Sequence, residues 1–259
     1  MTPSTTLRSA AVALAVAALL AGCSAATPPV DVASNSPAPS ASSVAGQYPD
    51  LSVYYPVGLG NTWVYSIDFG SAGGLVTDTE VMSKIVPDDG GQRVTIDRTF
   101  HYEDGSQADL VDSVDYIFMS DGSLSVPFQS VPTGAGVVTV KSGTMVWPTV
   151  AEFEAGTAKT GTIEASVAAG GATTDETVDF SIHGAGTEST TVTAGTYTAR
   201  KLAQDLTISI PALGVSGIAI SATTWLAEGV GPVRTEIPDI VGGGAIVQQL
   251  VSFSPGKGK

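Results

Sequence analysis

Arg93-Val94-Thr95-Ile96-Asp97-Arg98-Thr99-Phe100-His101-Tyr102 is the stretch from which the fold can be read. Val94, Ile96, Phe100 and Tyr102 fall on one face, and Thr95, Asp97, Thr99 and His101 on the other. A period of two is that of a half-buried β-strand. The stretch lies between Asp89-Gly90 and Asp104-Gly105, and Asp-Gly pairs supply the positive φ angles that tight hairpin turns demand. Beyond the second pair, Leu110 to Met119 repeats the pattern with Val114, Tyr116 and Phe118 on one face, and Asp121-Gly122 follows it. Gly74 to Phe128 therefore reads as an antiparallel meander.

The C-terminal half has the same character. Thr177 to His183 and Thr187 to Thr193 read as two strands around Gly184-Ala185-Gly186. In Thr196 to Ile210, Leu202, Leu206, Ile208 and Ile210 alternate with Asp205, Thr207 and Ser209. Pro211-Ala212-Leu213-Gly214 turns the chain, and Ile218, Ile220, Ala222, Thr224 and Leu226 alternate on the way back. Gly229 to Gly231 reads as a bend, Pro232 to Ile237 as a short strand and Ala245 to Phe253 as a closing strand. Apart from a short helical turn near Val150 to Glu154, helical periodicity is confined to the N-terminus. The expectation is an all-β fold, a strongly curved antiparallel sheet or a full or half barrel.

The N-terminus carries a different message. A short polar segment ending at Arg8 precedes an uninterrupted apolar run from Ala10 to Leu20. That length suits the apolar core of a signal peptide and falls short of the ~20 residues of a spanning helix. The run ends in Leu20-Ala21-Gly22-Cys23, the lipobox order of a Leu, two small residues and a cysteine. The small residues let the chain lie extended in a peptidase groove, and the Cys23 thiolate is the nucleophile that can take a diacylglycerol. Residues 1–22 are thus expected to be a lipoprotein signal peptide, forming a helix. Residues 23–47 are expected to be the lipidated cysteine followed by a flexible tether. Ser24 to Gln47 is Ser-, Ala- and Pro-rich and contains one charge, Asp31, too little apolar surface to offset the entropy of ordering. Its coil reach is on the order of 25–30 Å. Residues 48–259 are left for one all-β domain, long enough for a sizeable core.

Charged residues make up 14% of the chain and the formal net charge is -14. That balance argues against nucleic acid, and against anionic lipid headgroups as a binding surface, since both call for basic patches. The expected membrane association runs through the lipid on Cys23 alone. Cys23 is the chain's one cysteine, so no disulfide is expected.

Three blocks carry a family resemblance. Tyr54-Tyr55-Pro56-Val57-Gly58-Leu59-Gly60-Asn61-Thr62-Trp63-Val64-Tyr65 resembles the opening of a widespread class of uncharacterised bacterial secreted and lipid-anchored β-proteins, with Tyr-Pro followed by Gly-Asn-x-Trp-x-Tyr. Val192-Thr193-Ala194-Gly195-Thr196-Tyr197-Thr198-Ala199-Arg200-Lys201-Leu202 resembles their second block, a turn leading into a strand, with Thr193 where proline is common, and Trp225 to Arg234 resembles their closing block. The resemblance implies no particular activity. The blocks also read as structural: Trp63 and Tyr65 lie two apart on one strand face, which suits a sheet-packing pair.

Residues with catalytic chemistry are sparse. His101 and His183 are the two histidines, and no Gly-x-Ser-x-Gly elbow is present, so a Ser–His–acid site is unsupported. Two distant histidines do not make a zinc site. Asp109, Asp112 and Asp115 are spaced by three, which on a strand sends successive side chains to opposite faces. Asp88-Asp89 reads as a turn, and Gly242-Gly243-Gly244 precedes a strand rather than the helix of a phosphate loop. No cofactor or metal is implied. The expected function is a non-enzymatic binding or scaffolding module of the cell envelope, tethered at the extracytoplasmic face. Its candidate partner is a hydrophobic small molecule or an envelope component. The alternative is a hydrolase with an unrecognised site. An apolar pocket of several hundred Å³ would favour the carrier version over a filled core.

Overall fold

The computed structural model describes residues 55–70, 75–88, 90–105, 108–126, 128, 137–169, 172–238 and 244–256. The signal peptide, Leu20, Ala21, Gly22, Cys23 and the linker lie outside the described residues, as do Asp89 and Gly242-Gly243. The strands are β1 (Thr62–Asp68), β2 (Leu75–Asp88), β3 (Gly91–Tyr102), β4 (Leu110–Met119), β5 (Leu124–Val126), β6 (Val137–Ser142) and β7 (Met145–Trp147). After helix α1 (Val150–Glu154) come β8 (Lys159–Ala169), β9 (Ala172–Val192), β10 (Gly195–Ile210), β11 (Val215–Ala227), β12 (Gly231–Ile237) and β13 (Ile246–Ser254).

The thirteen strands of the described residues belong to one sheet, in the order β6-β8-β9-β10-β11-β12-β13-β1-β2-β3-β4-β5-β7. Every neighbouring pair is antiparallel. β1 and β13 join the two meanders at the centre, with Trp63 opposite Phe253. The sheet ends at β6 on one side and β7 on the other, yet only Gly143 and Thr144 separate these strands in the chain. The sheet must therefore curl until its two edges almost meet, and β7 lies against β8 and β9 while pairing with β5. Among the described residues no ladder joins the edges, so the curl stays open. Gly143 makes the crossing feasible. Its φ is +87°, and a Cβ there would stand 2.2 Å from the Thr162 carbonyl oxygen.

The alternation read from sequence survives in detail. Val94, Ile96, Phe100 and Tyr102 are buried in β3, and β4 spans Leu110–Met119 with Val114 and Phe118 buried. At Asp121-Gly122 the Gly122 N–H donates to the Met119 carbonyl and Asp121 accepts the Ser123 N–H. The helical turn at 150–154 is present. Thr149 Oγ accepts the Glu152 N–H and Glu152 accepts the Thr149 N–H, a capping box that starts the helix.

One expectation is corrected. Thr177–His183 and Thr187–Thr193 are not two strands around a glycine turn but parts of one strand, β9. The glycines sit in a bulge, where the register against β10 slips between Arg200↔Thr187 and Leu202↔Gly184. A Cβ on Gly184 would lie 2.0 Å from the Phe153 carbonyl oxygen, so this glycine lets α1 dock on the strand.

Two apolar clusters fill the inside of the curl. One gathers Ile163, Val178, Ile182, Leu202, Ile208 and their neighbours from β8–β12 around Phe153. The other gathers Trp63, Tyr65, Met82, Ile96, Phe118 and their neighbours. Trp147 of β7 borders both.

The Gly-Asn-x-Trp-x-Tyr block has a structural explanation. Asn61 Nδ2 donates to the Pro56 carbonyl at 2.8 Å, and Asn61 Oδ1 accepts the Gly256 N–H at 2.7 Å. One buried amide thus ties the segment before β1 to the segment after β13. Asn61→Ala is expected to lose about 1–3 kcal/mol of stability by leaving both partners unmet, checked by urea unfolding. A loss below a few tenths would show that water replaces the amide.

Candidate functional site

On β2, Val76, Asp78, Glu80 and Met82 point inward, and on β3 Arg98 points inward between Ile96 and Phe100. Strand register then sets these charges side by side. Trp63 on β1 is opposite Glu80, Glu80 is opposite Arg98, and Arg98 is opposite Asp112 on β4. A buried row runs across four strands with one guanidinium between two carboxylates. Asp78 lies one inward position along β2, opposite Tyr65 and Phe100.

Arg98 Nη2 forms an ion pair with Asp112 Oδ2, and the guanidinium lies 5.3 Å from the Phe100 ring centre. The Tyr55 hydroxyl donates to Glu80 Oε2 at 3.5 Å. Tyr55 also stacks on Tyr116 at 5.7 Å and meets Trp63 in a tilted pair at 5.2 Å. Asp78 Oδ1 and Arg98 Nε are buried and have no hydrogen-bond partner. Burial raises the Asp78 carboxyl well above its ordinary value, and Glu80 adds to this while Arg98 opposes it. Glu80 is also raised by burial, with Arg98 and the Tyr55 hydroxyl pulling it back. Burial, then Glu80, raises the hydroxyls of Tyr55, Tyr65 and Tyr116, which remain donors. Arg98 is held charged: burial lowers its pKa, but Tyr116, Glu80, Asp112 and Asp78 outweigh that.

These groups border a cavity of about 230 Å³ inside the curl. Tyr55, Tyr65, Tyr116 and Trp147 supply aromatic wall, and Leu206, Ile220 and Ala222 supply aliphatic wall from the opposite meander. Gln204, Thr224 and Gln248 add neutral polar groups, while Asp78, Glu80 and Arg98 are the charged ones. The buried Trp147 Nε1 also lacks a partner. The sheet encloses a chamber of mixed character, neither a fully filled core nor a purely apolar pocket.

A folded-state pKa above the unfolded one means that the native protein binds more protons. Stability is then fully present below the ordinary carboxylate range and is lost as pH rises toward the raised value. Asp78→Asn removes that titration while Tyr65, Glu80, Arg98, Asp112 and Tyr116 remain around the site. The variant is expected to lose part of the downward slope above pH ~4 and to gain about 1–3 kcal/mol at neutral pH. Thermal melts from pH 4 to 8 check this; an unchanged slope would contradict it.

The residues singled out from sequence lie elsewhere. His101 Nδ1 sits 2.8 Å from Asp109 Oδ1, both half exposed on the outer face. His183 is on β9 opposite Ala203, and neither histidine lines the cavity. The aspartate series divides as its spacing predicts: Asp109 meets His101, Asp112 points inward to Arg98, and Asp115 faces Arg93 and Thr95 outside. Asp88 pairs with Arg93 beside its turn. Among the described residues no group of three or more His, Cys, Asp or Glu is placed to hold a metal ion. No helix among them is long and apolar enough to cross a membrane. Sequence reading missed Asp78, Glu80 and Arg98, although each is a charge in the apolar phase of an alternating strand.

Two solved structures share the fold. One is a candidate lipoprotein from Parabacteroides distasonis, 17% identical, with a TM-score of 0.58 over 78% of this chain and 98% of that one. The other is a candidate exported protein with a YmcC-like fold from Bacteroides fragilis, 16% identical, with a TM-score of 0.54 over 78% and 99%. No curated protein matches by sequence. Residues 83–242, more than half of the chain, match the DUF3108-like family model, and the chain belongs to that DUF3108-like family.

Proposed function

We propose that this protein is a lipid-anchored, non-enzymatic binding module of the cell envelope that holds a small molecule inside its curled sheet. The cavity carries the reading: about 230 Å³ of space walled by aromatic and aliphatic side chains, with Asp78, whose buried Oδ1 has no partner, among its lining residues. A core built only for stability has few voids and satisfies its buried polar atoms. Small-molecule sites combine an apolar wall with a few convergent polar groups. The anchor rests on Leu20-Ala21-Gly22-Cys23 at the end of an apolar run of signal-peptide length. Lipoprotein processing supplies the two or more acyl chains that stable attachment needs.

The test takes the mature protein from its native envelope in mild detergent and measures intact mass under native and denaturing conditions. A small molecule present in the first spectrum and absent from the second supports the binding module, as does its loss in Ala222→Phe, which places a ring in the chamber. An empty chamber in both variants overturns the binding reading. The denatured mass and N-terminal fragments report the anchor, where diacylglycerol on Cys23 is expected. An unmodified Cys23, or cleavage at another site, would refute it.

A further inference from the structure

Resting on that reading of the chamber, we infer that its ligand is a cationic amine with a compact apolar body, its ammonium group seated on Asp78 beside Glu80. Three carboxylates, Asp78, Glu80 and Asp112, surround one guanidinium, and Arg98 already pairs with Asp112. Arg98 is the sole base among the lining residues. An anionic ligand would meet three carboxyl groups and one guanidinium, which offers it only the unpartnered Nε beyond its pair with Asp112, and like-charge contact in a desolvated site is costly. Asp78 Oδ1 is buried without a donor, and Asp78 is 1% exposed. An ammonium N–H supplies that donor and the compensating charge together, a charge-assisted bond stronger than a neutral one. The rings of Tyr55, Tyr65, Tyr116 and Trp147 around the same space offer faces that attract a cation. The volume of about 230 Å³ has room for a guest of on the order of ten non-hydrogen atoms, since a water needs only ~10–15 Å³ on that measure.

Proton balance gives the inference a distinctive signature. Burial, with Glu80 adding to it, raises the Asp78 carboxyl well above its ordinary value and so favours its protonated form in the empty protein. The amine arrives as R–NH₃⁺, the carboxyl gives its proton to solvent, and the complex retains an ammonium–carboxylate pair. Binding should therefore release protons and tighten as pH rises toward neutrality.

The experiment uses the mature lipoprotein in detergent, stripped of bound molecules, in calorimetric titrations with three probes of one shape: phenethylamine, 2-phenylethanol and 3-phenylpropionate. Phenethylamine is expected to bind at least tenfold more tightly than 2-phenylethanol, and 3-phenylpropionate to show no measurable binding. The phenethylamine heat should differ between phosphate and Tris in the direction of proton release to the buffer. Asp78→Asn should weaken phenethylamine at least tenfold and leave 2-phenylethanol unchanged. If Asp78→Asn loses the alcohol as well, its chamber has collapsed, and Glu80→Gln together with the buffer-dependent heat decides in the same sense. Binding of the alcohol or the carboxylate at least as tight as that of the amine would overturn the amine inference while leaving the chamber reading intact. No binding of any probe, together with no co-purifying molecule, would overturn both.

Discussion

Replacing Arg98 with Met will cost the protein about 3–5 kcal/mol near pH 7.5, and much of that loss will vanish near pH 4. The guanidinium stands between Glu80 and Asp112 in cross-strand register, 6% exposed, with Asp78 close by. Met fills similar space and preserves packing on Phe100, so the variant removes charge more than volume. Three inward carboxylates are then left without a cation, and breaking a buried pair by deleting one partner is among the larger single-site losses. Their folded-state pKa values rise further, so stability is retained at low pH and lost as pH climbs. Urea unfolding at pH 4 and 7.5 separates this from a packing defect, which would cost the same at both. A pH-independent loss would mean that the row is held by shape rather than charge.

The second large effect is expected at Trp63. Its side chain is fully buried, its indole N–H donates to the Val230 carbonyl at 2.7 Å, and its ring lies 5.3 Å from Phe253 and 5.2 Å from Tyr55. It thereby joins the middle of the sheet to the β11–β12 turn and to the chamber wall. Trp63→Ala is expected to lose about 3–5 kcal/mol, from lost transfer energy and the cavity left behind. That is roughly a fifth or more of a typical domain's stability. Trp63→Phe keeps a ring and forfeits the hydrogen bond and some volume, so about 1–3 kcal/mol is expected. Thermal unfolding of both variants checks the ranking; equal losses would show that the hydrogen bond carries the whole effect.

Much of this architecture is legible in local pattern. Period-two alternation places β3, β4, β10 and β11 within a few residues of their ends, and Asp121-Gly122 marks its hairpin. What local pattern does not contain is partnership. Nothing in Thr62–Asp68 names Ile246–Ser254 as its neighbour, and nothing in Met145–Trp147 announces that β7 leaves β6 to pair with β5. Gly184-Ala185-Gly186 misleads because glycine serves a bulge and a close backbone approach as readily as a turn. The site was hidden differently. Arg98 sits in the apolar phase between Ile96 and Phe100, and Asp78 and Glu80 in that between Val76 and Met82. A charge out of phase on a half-buried strand is a signal in one strand alone. Two adjacent strands carrying opposite charges out of phase make a stronger one. His101 and Asp109 drew notice as reactive residue types, but alternation had already assigned His101 to the solvent side.

In a closed barrel, strand number and shear fix the bore. Here the sheet is wrapped rather than sewn, and its two margins are held by the Gly143–Thr144 link and by side chains. The bore is therefore not fixed by a ladder, and Trp147 of the edge strand β7 lines both the chamber and a small neighbouring gap with Pro148, Phe153, Leu202, Leu226 and Tyr55. Exchanging a large side chain for a small one there resizes the chamber without moving any strand register. A single fold of this kind can be retuned from one guest to another by a handful of interior substitutions, while its hydrogen-bonded frame stays constant.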